Sequence, residues 1–236
     1  MRVNSDVTFA DARDGTSEVA AVGEVGMIPG GGFRARSLQV RADPVQVALA
    51  RAWMPTLPVG GIVVGTATVN GATTTQLIAD GDLTHVENGA RSRLTGRAAI
   101  RTAGSGGLWM DVDARARPVS LYTVGRFVPA LELRGVAAGP IRLTGTMHNL
   151  AVRSSLRFAE GGELDVRGTL DLASAEKGYD LAAAMRLFNA NLVMARLPRT
   201  SITAKMTARG RGFSPATMAM TASADVELTT LGEAQR

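Results

Sequence analysis

The chain has 236 residues and an apolar content of 45%, so it is long enough for one or two domains with a sizeable core, and its composition excludes a disordered chain. The absence of cysteine excludes disulfides, thiolate metal sites and thiol nucleophiles. The net charge of +5 would suit nucleic acid or an anionic membrane surface, but acids and bases are interspersed, so we interpret it as a solvated, arginine-biased face.

The first residues, MRVNSDVTFADARDG, lack the apolar segment of a signal peptide. No later stretch approaches the roughly 20 consecutive apolar residues that a membrane-spanning helix needs. The end, VELTTLGEAQR, stops just after a strand-like pattern, so we interpret the chain as a piece of a longer protein, with targeting segments outside it.

Alternation of apolar and polar residues dominates the chain and predicts strands with one apolar and one hydrated face. The clearest runs are DVDARARP (111–118), IRLTGTM (141–147), ELDVRGTLDL (163–172), SITAKMTAR (201–209) and MAMTASADVEL (218–228). Glycine-containing turn signals separate the strands at 29–32, 87–89, 104–107, 160–162 and 176–178. Short connections of this kind predict an antiparallel sheet of hairpins and meanders.

Three segments break the alternation and are predicted as helices of two to three turns. PVQVALARAWMP (44–55) and PVSLYTVGRFVP (118–129) each begin and end with proline, which indicates helices at about 45–53 and 119–127. NANLVMARLP (189–198) resembles them, with Asn189 as a candidate N-cap.

An internal repeat relates 41–71 to 115–145 at an offset of 74 residues without a gap, with nine of 31 positions identical. Four of the identical positions are one proline and three glycines. They are Pro55, Gly61, Gly65 and Gly71 in the first copy, and Pro129, Gly135, Gly139 and Gly145 in the second. A looser third copy begins at Tyr179 and loses the glycine spacing. The repeat predicts N-terminal strands at 1–32 and repeat units at 33–110, 111–178 and 179–236, with the glycines at tight turns or close backbone approaches.

The alternating apolar residues are the candidate functional residues, because a continuous apolar wall lets an acyl chain slide without any catalytic group. The predicted groove-lining positions are Ile141, Leu143, Met147, Leu164, Val166, Leu170, Ile202, Met206, Met218 and Met220. The alternative is that the same residues fill the core of an ordinary β-sandwich.

No catalytic, metal or cofactor site is expected. His85 and His148 are the only histidines and are interpreted as exposed residues at strand ends. Asp111, Asp113, Glu163 and Asp165 alternate on outward faces and are interpreted as solvated, and ARGRG at 208–212 precedes no helix, which argues against a phosphate loop.

The serial order of these elements in 118–172 and 179–218 resembles the TamB/AsmA-like superfamily. It combines an apolar strand, a short segment ending at proline, glycine-punctuated strands and a GxLxxxGxxDL-like run. The resemblance implies a mostly β fold with an elongated, curled antiparallel sheet, or half-pipe, and short helices between repeats.

The same resemblance implies a function and a location. It implies a segment of a protein anchored in the inner membrane that spans the periplasm of a diderm bacterium, with phospholipid acyl chains as cargo. Phospholipid transfer to the outer membrane and outer-membrane protein assembly with a BamA-like partner are the implied roles, without nucleic acid or metal. A non-transporting β-repeat scaffold, a surface stalk and a basic nucleic-acid-binding protein remain open as alternatives.

Overall fold

The computed structural model describes residues 2–11, 15–52, 57–102, 107–127, 132–192, 197–212 and 218–231. The strands in the first half are β1 (Arg2–Asp11), β2 (Gly15–Met27), β3 (Phe33–Gln46), β4 (Ile62–Ala72), β5 (Leu77–Glu87), β6 (Ala90–Thr102) and β7 (Leu108–Ser120). The second half contains β8 (Val136–Thr146), β9 (Asn149–Phe158), β10 (Glu163–Asp171), β11 (Gly178–Phe188), β12 (Thr200–Arg211) and β13 (Ala219–Leu231).

Three short helical segments connect strands. A first 3₁₀ helix spans Val47–Ala52, α1 spans Leu121–Gly125, and a second 3₁₀ helix spans Ala190–Leu192. None of the helices within the described residues is long and apolar enough to cross a membrane.

All thirteen strands belong to one antiparallel sheet in which the spatial order follows the chain order from β1 to β13. This confirms the predicted fold class of a mostly β, antiparallel chain with short helices between strands. The order is linear, as expected when each strand is joined to the next by a short hairpin connection.

Tertiary contacts divide the chain into two compact units, which we call unit 1 (Met1–Ala114) and unit 2 (Arg115–Arg236). The finer division predicted from the repeat, with boundaries at 33, 111 and 179, stays a prediction because the contact-based units are coarser.

The turns lie where glycine signals predicted them. Residues 28–32 connect β2 to β3, Asn88 and Gly89 connect β5 to β6, and residues 159–162 connect β9 to β10. Asn88 has φ +49° and Gly89 has φ +78°, the left-handed conformations that asparagine and glycine tolerate best in a tight hairpin. Most of the predicted turn at 104–107 lies outside the described residues.

The helical segments are shorter than predicted, because the predicted starts belong to the preceding strands. Pro44 lies within β3, where the pairing with β4 shifts register between Ala42 and Val45, and Pro118 lies within β7. A proline lacks the N–H that a regular ladder needs, so a bulge accommodates it. Asn189 was correctly predicted as an N-cap, since its Oδ1 accepts the Asn191 N–H at 3.2 Å.

The structure reproduces the 74-residue repeat element by element. β3 ends at Gln46 and β7 at Ser120, and β4 and β8 span Ile62–Ala72 and Val136–Thr146. The Val47 amide donates to the Gly61 carbonyl at 2.9 Å, and the equivalent Leu121 amide donates to the Gly135 carbonyl at 3.0 Å. Pro55 and Pro129 lie outside the described residues.

The six repeated glycines adopt positive φ in matched pairs: +78° and +82° at Gly61 and Gly135, +143° and +150° at Gly65 and Gly139, and +106° and +126° at Gly71 and Gly145. A Cβ at Gly65 would overlap the Asp82 carbonyl oxygen, and one at Gly139 would overlap the Ser155 carbonyl oxygen. The prediction of close backbone approach is therefore confirmed at these positions.

Replacing Gly65 with alanine should lower the free energy of unfolding by about 2 kcal/mol or more, because positive φ and backbone overlap both oppose a side chain. Gly26→Ala is the matched control, since Gly26 lies in β2 of the same unit with open space around the Cβ position. Chemical denaturation of both variants measures the difference. Equal midpoints would contradict the steric role assigned to the glycine.

Candidate functional site

The antiparallel register of unit 2 gathers the apolar residues of β8 to β13 on one side, here called the apolar face. Consecutive pairings carry one row of this face across the strands without a break in register. That row contains Ile141, Ser154, Val166, Ala183, Met206 and Ala224. The next row contains Leu143, Val152, Gly168, Leu181, Ala208 and Ala222. A one-residue slip would turn these side chains to the opposite face, so the register creates the surface.

Eight of the ten predicted groove residues belong to this face by register and strand alternation: Ile141, Leu143, Leu164, Val166, Leu170, Ile202, Met206 and Met220. Met147 lies in the turn between β8 and β9, and Met218 directly precedes β13. The two methionines therefore lie beyond strand ends rather than within the rows.

Most of the apolar face is neither a closed core nor fully open to water. Ile141, Leu143, Val166 and Met206 are all partly buried. Toward β13 the exposure increases, and Met220 is 48% exposed. The side chains on this face are mostly small or aliphatic, which gives a smooth wall with few pockets.

One end of the apolar face is closed by a buried cluster, here called the plug. It consists of Ala116, Val119, Leu121, Ala137, Phe158, Phe188 and Leu192. The rings of Phe158 and Phe188 meet edge to face with centroids 5.3 Å apart, although β10 lies between their strands. Alternate strands of a flat sheet are about 10 Å apart, so this convergence is expected on the concave side of a curled sheet.

The second 3₁₀ helix is anchored to the segment before β8. The Arg134 amide donates to the Leu192 carbonyl at 2.9 Å, and Leu192 is only 1% exposed. A Cβ at Gly135 would lie 3.1 Å from Leu192 Cδ2, so the repeated glycine makes room for this leucine. Leu192 and Leu121 were not predicted as plug residues, because their burial depends on contacts between distant segments.

The interpretation of His85 as an exposed strand-end residue is wrong. His85 is half-buried in unit 1, and its Nε2 lies 2.7 Å from the Gly60 carbonyl oxygen. The Gly60 amide donates to Glu87 Oε1 at 3.1 Å. Alternation along β5 directs both side chains to the same residue, Gly60, and together they clamp the segment that enters β4.

His148 is exposed as predicted, with 72% of its side chain accessible, and its Nδ1 lies 3.6 Å from Asp171 Oδ1. The pKa of Asp171 is held below its usual value, first by the Ser174 hydroxyl and amide, and also by the Ala173 amide and the nearby His148. These bonds close the turn between β10 and β11, so the carboxylate has a structural role.

A trough of about 620 Å³ lies over the polar side of β2 to β5 in unit 1. Its charged lining is already engaged in part: Asp82 binds Arg93 through two hydrogen bonds of 2.6 and 2.8 Å, and Arg41 pairs with Asp43. The trough therefore has a mixed lining, in which Ala20, Val22 and Val40 lie beside partly engaged charged groups.

Within the described part of the chain, no group of three or more His, Cys, Asp or Glu side chains is arranged to hold a metal ion. Asp111 and Asp113 are exposed, as the alternation predicted. The Glu163 carboxylate lies 2.9 Å from Arg157 and 3.6 Å from Arg186, so it is engaged in ion pairs.

Comparison with protein-family models, with curated proteins and with solved structures found no match to this chain.

The plug and the apolar face should respond differently to substitution. Leu192→Ala removes a fully buried side chain and should lower the free energy of unfolding by about 2–4 kcal/mol. Val166→Asp puts a carboxylate on a partly open surface where it stays hydrated, so its cost should be below about 1.5 kcal/mol. Thermal denaturation monitored by circular dichroism compares them, and unfolding of the Val166→Asp variant would show that the face is a closed core.

Proposed function

We propose that this chain is a segment of a lipid conduit, in which the apolar face of unit 2 holds the acyl chains of phospholipids. The observation that carries the proposal is the continuity of the two partly exposed apolar rows from β8 to β13, on one side of the register shifts near Met185 and Thr203. A soluble protein that leaves such a surface partly open uses it to contact an apolar partner.

The energetics favour an extended surface over a catalytic site. Burying one methylene group gains about 0.8 kcal/mol, so a two-chain lipid with roughly 30 methylenes faces on the order of 25 kcal/mol in water. An apolar wall lowers this barrier along its whole length. The alanines and glycines among the rows, such as Ala183, Gly168 and Ala208, leave shallow relief along which a flexible chain can lie.

The wider role follows from the resemblance to TamB/AsmA-like proteins. In that setting the chain is part of a periplasm-spanning envelope protein anchored in the inner membrane through a segment outside this sequence. Phospholipid transfer between the two membranes is the proposed activity, with outer-membrane protein assembly through a BamA-like partner as a further role. A scaffold or stalk that carries no lipid is the competing function.

A photo-crosslinking amino acid at Val166 should capture phospholipid when the protein is isolated from a diderm bacterium. The control is the same crosslinker at Thr74, which is exposed in the turn between β4 and β5 of unit 1 and belongs to neither face of unit 2. Mass spectrometry of the crosslinked product identifies the lipid. Introducing Leu143→Asp one row away should reduce capture at Val166 severalfold while the protein stays folded.

Absence of lipid at Val166, with crosslinks only to protein, would favour the scaffold or stalk. Equal capture at Val166 and Thr74 would indicate nonspecific association with membrane fragments, and would also contradict the conduit.

A further inference from the structure

The positive charge of the chain is concentrated in unit 2. This unit contains 16 of the 26 Lys and Arg residues and 10 of the 21 Asp and Glu residues, a net charge of +6, whereas unit 1 has a net charge of −1. The surface opposite the apolar face, here called the polar face, carries much of this charge.

Three arginines face one another across adjacent strands of the polar face. Arg142 of β8 is directly opposite Arg153 of β9, and Arg153 is directly opposite Arg167 of β10. We call them the arginine row; all three are exposed. Adjacent strands are about 4.8 Å apart, so the row spans about 10 Å. Like charges directly opposite each other destabilise a sheet, so the arrangement weakens the fold locally.

Other cations of the polar face are neutralised by nearby acids. Arg157 and Arg186 share Glu163, Arg209 lies 3.7 Å from Asp180, and Lys205 lies 3.7 Å from Glu227. In contrast, Arg153 and Arg167 make no ion pair with any described residue. Asp165 lies on the same face, two residues from Arg167 along β10, but forms no ion pair with either arginine within the described residues. The positive charge that is not engaged in ion pairs is therefore centred on these two arginines.

We propose that the arginine row docks unit 2 on the phosphate groups of an anionic lipid surface. The guanidinium fork matches phosphate oxygens in pairs, and guanidinium is weakly hydrated, so arginine suits this contact better than lysine does. The row lies on an open sheet face, which fits an array of phosphates better than a single small anion. The contact is independent of the apolar face and of the function proposed for it.

The composition of the face argues against single-stranded nucleic acid. Strands that bind such chains interleave basic residues with aromatic side chains on which bases stack. Alternation along β8 to β12 places no aromatic side chain of the described residues on the polar face, since Phe158, Tyr179 and Phe188 belong to the other side. The polar face is therefore suited to contacts with phosphate groups and not to stacking of bases.

The test measures binding of the full chain to sedimentable vesicles of phosphatidylglycerol and phosphatidylcholine, and to vesicles of phosphatidylcholine alone. The double variant Arg153→Gln/Arg167→Gln should lose roughly 25-fold in affinity for the anionic vesicles, about fivefold for each arginine. The control Arg157→Gln/Arg209→Gln removes the same charge from the same face but from existing ion pairs, and should lose about threefold or less. Wild-type binding should weaken steeply with added salt.

Equal losses of affinity in the two double variants would show that binding depends only on net charge. That result would overturn the arginine row as the docking site. Failure of the wild type to prefer anionic vesicles would overturn the proposal outright. Tighter binding to duplex DNA or polyglutamate, with the same dependence on Arg153 and Arg167, would assign the row to a different partner. If the double variant fails to fold, the single variants Arg153→Gln and Arg167→Gln provide the same comparison, each with an expected loss of about fivefold.

Discussion

The register of neighbouring antiparallel strands is the constraint on which the rest of this structure depends. Side chains alternate between the two faces of a strand, so a shift of one residue in any pairing would separate Val166, Ala183 and Met206. The observed register places all three in one row. The same register gathers Arg142, Arg153 and Arg167 on the other face of the sheet. A single register thus produces an apolar face suited to acyl chains and a basic face suited to phosphate.

The repeated glycines and the short helical segments fit into this sheet without changing which side chains lie on which face. Gly65 and Gly139 let strands approach so closely that a Cβ would overlap a neighbouring carbonyl oxygen. At the preceding glycine pair, Gly61 and Gly135, the chain returns from a helical segment to the sheet, and the glycine carbonyl accepts the same backbone hydrogen bond in both repeats. In unit 2 this return creates the space that Leu192 fills, so one end of the apolar face is closed while its middle stays partly open.

Much of the fold could be predicted from the sequence, because alternation and glycine turns are local signals. The strands, their antiparallel order, the 74-residue repeat and eight groove positions on one face all follow from such signals. The plug and the clamp of Gly60 by His85 and Glu87 could not be predicted, since they depend on contacts between segments 25 to 76 residues apart. The helices were predicted too long because proline was taken as a helix start, whereas Pro44 lies at a strand bulge.

The most direct measurement of the central claim uses the absence of cysteine in the chain, which allows single-cysteine labelling without background. In delipidated, folded protein, Val166→Cys should react readily with a water-soluble maleimide, and added phospholipid should protect it. Thr74→Cys, in an exposed turn of unit 1, should react equally with and without lipid. A Val166→Cys variant that is folded but unreactive without lipid, or one that lipid fails to protect, would contradict an open apolar face that holds acyl chains.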